Sequence, residues 1–136
     1  MTGLIVVVAV LVAATVFGLV QRARSGRVRT SGGSSSPNGW VLTGSDPGPA
    51  DRVLLLQLSS PICAPCRQTA ALLDEVAADA PGVRHVEIDV ADRPDVAREL
   101  SVMRTPTTVG FDRTGRELLR ISGVPRRAQL LAALET

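Results

Sequence analysis

The sequence contains no lysine; all 15 of its basic residues are arginine. It has three aromatic residues (Phe17, Trp40 and Phe111), a single histidine (His85) and two cysteines (Cys63 and Cys66). Each scarcity excludes something. Three aromatics leave little for stacking on nucleic-acid bases. Two cysteines cannot staple a disulfide-rich secreted scaffold. The net charge of +2 is also unevenly placed. Residues 1–40 carry Arg22, Arg24, Arg27 and Arg29 and no acid, whereas residues 41–136 carry 11 arginines against 13 acids. The basic balance thus belongs to an N-terminal segment, and the folded part lacks the basic face of a nucleic-acid binder.

The longest uncharged run is Gly3 to Val20. As a helix, 18 residues span about 27 Å, enough for a bilayer core of about 30 Å. The run is apolar all round, unlike an amphipathic core helix. It has no basic n-region and exceeds the usual length of a signal-peptide core. Residues 1–21 are therefore expected to be a transmembrane helix. The four arginines that follow place the C-terminal side in the cytoplasm by the positive-inside rule. Residues 22–39 are expected to be a tether, basic from Arg22 to Arg29 and Gly/Ser-rich, hence flexible, from Ser31 to Gly39. Residues 40–136 are expected to form one domain.

Within that domain both cysteines fall in one short stretch, Cys63-Ala64-Pro65-Cys66. Before it, Val53 to Leu58 reads as a buried strand. After it, Leu72, Leu73, Val76 and Ala77 recur at helical spacing as far as Asp79, and Pro81-Gly82 stops the helix. A Cys-x-x-Cys at a strand-to-helix junction is a redox pattern. Cys63 would sit at the helix N-terminus, where free N–H groups and the macrodipole favour a thiolate. Pro65 suits the first turn, and Cys66 is placed to attack a mixed disulfide formed by Cys63. A disulfide across so short a loop adds only about 2 kcal/mol of stability, so redox chemistry explains the pair better than stapling does.

The remaining pattern is regular. Trp40-Val41-Leu42 reads as a short edge strand and Gly44 to Ala50 as a loop. Val83 to Asp89 is a second central strand, with His85 a surface residue at its start. Asp92 to Leu100 is a short helix with Asp92 as its N-cap. Thr107 to Phe111 and Glu117 to Ser122 form a hairpin across Asp112-Arg113-Thr114-Gly115. Pro125 opens a last helix whose Leu130, Leu131 and Leu134 face the sheet. The order β-α-β-α-β-β-α gives an α/β fold, a mixed central sheet with helices on both faces.

This order, with Cys63-Ala64-Pro65-Cys66 after the first strand and Thr105-Pro106 before the hairpin, resembles thioredoxin over residues 40–136. Arg67 stands where the family usually has lysine. Asp89, Gly115 and Gly123 match family positions. The resemblance implies a thioredoxin-like fold and thiol–disulfide exchange, with Cys63 as nucleophile and Cys66 as resolving cysteine. It implies that Pro106 is the family's cis-proline, and that Pro65, Thr105, Pro106 and Arg104 lie where substrate binds. Partners are then a disulfide-containing protein and a thiol electron donor. No cofactor or metal is expected, because the electrons travel in the cysteines. The sequence also departs from the family. Gln57 replaces a buried aspartate that helps move the proton of the second cysteine, Ser59 and Ile62 replace aromatics, and the N-terminal strand and helix are cut short.

Three alternatives stand beside the reductase. Zinc wants four ligands, and the chain offers two cysteines and His85, so a site would have to be shared between two chains. A docking module could keep the fold without catalysis. A reductase or oxidase outside the cytoplasm, of the cytochrome c maturation type, would share the layout, although such proteins usually carry an insertion that is lacking here.

Overall fold

A computed structural model describes residues 1–31 and 36–135. The elements are α1 (Thr2–Arg24), β1 (Val28–Thr30), α2 (Gly39–Thr43), β2 (Val53–Ser59), α3 (Ala64–Asp79), β3 (Val83–Asp89), α4 (Pro94–Glu99), β4 (Thr107–Asp112), β5 (Glu117–Ser122) and α5 (Arg127–Leu134). The five strands form one sheet in the order β1-β5-β4-β2-β3. Only β2 and β3 run parallel; the other neighbours are antiparallel. From β2 onward the element order is the one the sequence predicts.

The strand period divides the core in two. Leu54, Leu56 and Leu58 of β2 point to one face, where they meet Val109 and Phe111 of β4, Trp40 and Leu42 of α2, and Val96 of α4. Leu55 points to the other face and packs with Leu73 and Val76 of α3, Leu119 and Ile121 of β5, and Leu130 of α5. Leu131 and Leu134 pack on that second cluster from its margin, so the last helix does face the sheet. It begins at Arg127, however, two residues after Pro125. The hairpin turn is fixed by Asp112, whose Oδ1 accepts from the Thr114 N–H at 2.8 Å and the Arg116 N–H at 3.0 Å. Gly115 closes it at φ 86°, and a Cβ there would lie 2.0 Å from the Asn38 side chain, so only glycine fits.

Several expectations need correction. Trp40-Val41-Leu42 lies in a helix, not an edge strand. Asn38 Oδ1 caps it by accepting from the Trp40 N–H at 3.0 Å, and Gly44 ends it in the left-handed conformation. The buried–exposed–buried sequence of Trp40, Val41 and Leu42 looks like strand alternation, and a helix of little more than one turn has no period to contradict it. Asp92 is not an N-cap. Pro94 sets the helix start, Arg93 takes the cap position without a side-chain bond, and Asp92 lies in the preceding turn. The loop there is organised by Asp89, whose backbone oxygen accepts from the Asp92 and Arg93 N–H groups. His85 is neither at the strand start nor on the surface. It is mid-strand, and its side chain is 6 % exposed.

The stretch expected to be a tether is partly built into the domain. Val28–Thr30 pairs with Leu119–Ile121 of β5, and Val28 packs on the second core cluster. On either side of residues 32–35, Ser31 Oγ and Ser36 Oγ donate to the Glu117 carboxylate at 2.9 and 2.6 Å. Of the Ser31–Gly39 run expected to be flexible, Ser31 and Ser36 are thus held to β5, Asn38 caps α2 and Gly39 opens it, while residues 32–35 lie outside the described residues. Helix α1 is 23 residues long, with a mean hydropathy of 2.9 over its most apolar 18-residue window, and none of that window is buried. It is long and apolar enough to cross a membrane.

Candidate active site

Strand β2 carries the chain across the middle of the sheet, and the loop Ser60-Pro61-Ile62 turns it into α3. Cys63 is the N-cap of that helix, and its Sγ accepts from the Cys66 N–H at 3.2 Å. Ala64 and Pro65 fill the first two helical positions, where the missing proline N–H goes unneeded. Cys63 and Cys66 form a disulfide with their Cα atoms 5.2 Å apart. Cys63 is 9 % exposed and Cys66 2 %, so the first cysteine is the more accessible.

The loop before β4 closes over this junction. The Thr105–Pro106 peptide is cis. Ser60 Oγ and Thr105 Oγ1 share a hydrogen bond of 3.1 Å, which ties the two loops together beside the disulfide. Pro106 is buried, and its backbone oxygen accepts from the Gly123 N–H at 2.8 Å. Thr105 makes no backbone hydrogen bond among the described residues. The Ser60–Thr105 bond thus brings the loop that holds Thr105 and Pro106 to the junction that holds Cys63, Pro65 and Cys66. Arg104 is exposed and its guanidinium has no partner among the described residues; it lines a groove with Arg24, Arg27, Arg29 and Arg120.

Two features escape the sequence. Ile62 (98 % exposed) and Met103 (96 %) present apolar side chains, one on each of the joined loops. Below the helix, Gln57 is completely buried and bonded at both ends: its Nε2 donates to the Cys66 backbone oxygen at 2.9 Å, and its Oε1 lies 3.1 Å from His85 Nε2. His85 Nδ1 in turn lies 2.7 Å from Asp74 Oδ1. Both ring nitrogens are thus engaged away from the sulfurs. Among the described residues no group of three or more His, Cys, Asp or Glu could hold a metal ion.

Residues 48–136 match the family model Thioredoxin. The chain belongs to the thioredoxin family. Thioredoxin H2 of Arabidopsis thaliana is 33 % identical over 92 residues, 68 % of each chain. The thioredoxin of Mycolicibacterium smegmatis is 36 % identical over 75 residues, 53 % of this chain and 66 % of that one. Among solved structures, oxidised mitochondrial thioredoxin 3 of Saccharomyces cerevisiae superposes with a TM-score of 0.55 at 27 % identity, covering 63 % of this chain and 80 % of its own. With its Cys63–Cys66 pair, this thioredoxin is a thiol–disulfide oxidoreductase.

Proposed function

We propose that this thioredoxin is a membrane-anchored reductase of protein disulfides, with Cys63 as nucleophile and Cys66 as resolving cysteine. One observation carries the assignment: Cys63 is the more exposed cysteine, and it caps α3 with the Cys66 N–H directed at its Sγ. After reduction the same N–H and the helix dipole favour a thiolate at Cys63. That thiolate attacks one sulfur of a substrate disulfide. A mixed disulfide forms, and the first substrate thiolate leaves and takes up a proton. Cys66 then gives up its proton and attacks Cys63 Sγ, releasing the second substrate thiol and closing the Cys63–Cys66 disulfide. Two electrons and two protons pass to the substrate, and a dithiol donor restores the pair.

The substrate segment lies extended beside Thr105, whose unpaired backbone offers it a strand-like partner. Ile62 and Met103 supply apolar contact, and Arg104 lies on the same rim. Helix α1 anchors the protein. Its apolar side chains, from Leu4 at 71 % exposed to Val20 at 42 %, make a larger exposed apolar surface than a soluble domain keeps. Arg22, Arg24, Arg27 and Arg29 favour a cytoplasmic domain.

The test is trapping. Cys66→Ser should accumulate mixed disulfides with partner proteins, and Cys63→Ser should accumulate none; equal trapping by both would reverse or remove the roles. The direction of transfer is read from the reduction potential. A value near about −270 mV supports a reductase, and one near about −120 mV makes the protein an oxidant and moves the domain to the other side of the membrane.

A further inference from the structure

The residue that closes α1 and the first residue bonded to the domain's sheet are neighbours. Ser25 closes the helix, its backbone N–H donating to the Gln21 oxygen. The Gly26 N–H then donates to the Ser122 backbone oxygen at 2.6 Å. The same Ser122–Gly123 peptide unit turns its other side to the substrate loop: the Gly123 N–H donates to the Pro106 backbone oxygen at 2.8 Å. One peptide unit thus bridges the end of α1 and the residue after Thr105. Across it, the Gly26 nitrogen and the Pro106 oxygen lie within about 8 Å of each other. Arg24, the last residue of α1, is two residues further back, about 7 Å at most.

The junction has no slack. Gly26 is buried at φ 76°, and a Cβ there would lie 2.2 Å from the Val124 backbone oxygen. Only glycine permits so close an approach of the two backbones. Two residues on, β1 begins and pairs with β5. A groove beside the junction gives the same placement independently. Arg24 of α1 and Arg104 of the substrate loop line it together, with Arg27, Arg29 and Arg120. No acidic residue lines it among the described residues. Arg120 is paired with Glu117, whereas Arg24, Arg27, Arg29 and Arg104 have no side-chain partner among the described residues. At the end of a span, such a lining fits the phosphates of anionic headgroups.

We propose that this dock fixes the substrate loop at the bilayer surface, so that the substrates are disulfides of membrane proteins lying close beside the headgroups. This rests on the reading of α1 as an anchor and of Cys63 and Cys66 as a working redox couple. The 23 residues of α1 span about 35 Å, so a bilayer core of about 30 Å ends near Arg22 and Arg24. From Arg24 the bonded path to Pro106 is about 15 Å at most. The headgroup layer covers about 5–8 Å of that height. A flexible tether of about twenty residues would let the dithiol range over about 25 Å. The docked helix end confines it to a thin layer instead. In the exchange, two electrons and two protons pass from the dithiol to the substrate disulfide, which becomes two thiols.

The test compares depths. Full-length protein, reduced beforehand, is reconstituted in vesicles of phosphatidylcholine and phosphatidylglycerol with a membrane-spanning peptide. The peptide carries one short disulfide loop, either directly after its span or beyond about ten prolines, a stiff spacer of about 31 Å. Thiol labelling follows a single turnover. The near disulfide should be reduced about tenfold faster than the far one, or more. A Gly/Ser insert of about twenty residues between Arg24 and Ser25, reaching about 25 Å, should bring the two rates together. The insert leaves Gly26 and β1 docked, so exchange with oxidised glutathione should match the parent's. Equal rates for near and far disulfides in the parent, or a ratio that the insert leaves unchanged, overturn this proposal alone. A parent that fails to exchange with oxidised glutathione overturns the redox reading, and release of the protein by an alkaline wash overturns the anchor; either takes this proposal with it.

Discussion

Leu56 and Gln57 are neighbours in β2, both completely buried, and they point to opposite faces of the sheet. Leu56 continues an apolar stripe with Leu54 and Leu58. Gln57 interrupts a stripe that begins with Leu55, and the buried Thr69 and Thr108 join it there. Thr108 lies directly across from Gln57 in β4, and its hydroxyl has no partner among the described residues. Burying such groups costs stability unless each is hydrogen-bonded. One face of β2 is thus free to maximise packing. The other accepts polar groups where it runs beneath the dithiol. Adjacent positions in one strand separate stability from chemistry because strand side chains alternate.

The largest effect that would break this separation is on stability. Leu56→Ala should cost about 2–5 kcal/mol, read from chemical denaturation of the reduced and oxidised protein alike. The reduction potential of the folded variant should match the parent's, since the cavity opens on the far side of the sheet. A changed potential would mean that the two faces are mechanically coupled.

Gln57→Leu makes the opposite trade. It fills the same space with apolar atoms, removes the hydrogen bond to the Cys66 carbonyl and leaves His85 Nε2 without its partner, at about 1–3 kcal/mol. Its main consequence should be kinetic: exchange with a disulfide slows about threefold or more while the overall fold persists. Stopped-flow exchange beside a denaturation curve separates the two readouts. A variant that loses stability but keeps the parental rate would return Gln57 to a packing role.

How much of this was legible beforehand depended on where the partner of each residue lies in the chain. The β2–α3 junction is local. The apolar run, the cysteine pair, the proline in the first turn and the stop at Pro81-Gly82 all lie within thirty residues, and the structure places α3 at Ala64–Asp79 as expected. The hairpin is local too. Strand β1 is not: Arg27 to Arg29 look like a basic run, and their meaning as an edge comes from β5, some ninety residues later. His85 was missed for the same reason. Its burial follows from the register that sets it opposite Leu55, one diagonal step from Gln57, and from the reach of Asp74 on α3. Gln57 itself was visible as a departure from the family, but the bond network that gives the departure a chemical sense was not. In α2 the local signal was present and ambiguous, because Trp40 and Leu42 flank an exposed Val41 in either conformation.

A smaller effect tests whether charge elsewhere in the molecule stays out of the redox site. At the β1 edge, Glu117 accepts from Ser31, from Ser36 and twice from Arg120, whose other amino group donates to the Leu100 carbonyl at the end of α4. Burial is the largest single influence on Glu117 and pushes its carboxyl upward. The hydrogen bonds from Arg120, Ser36 and Ser31, with the arginine charge, together outweigh it and hold the carboxyl below the ordinary glutamate value. A group lowered in the folded state stabilises the fold above its unfolded value, and that contribution is lost as pH falls through the folded one. Glu117→Gln should therefore cost about 2 kcal/mol at pH 7. The difference from the parent should close as pH drops below about 4. The acid sensitivity that Asp112 contributes remains in both proteins and cancels in the comparison. Thermal melts from pH 7 to pH 3 read the gap, and thiol exchange at pH 7 should be unchanged, because this ion pair holds Ser31 and Ser36 to the sheet and touches neither Gln57 nor Cys66. An exchange rate that moved with Glu117 would show that the docking of the N-terminal segment reaches the dithiol.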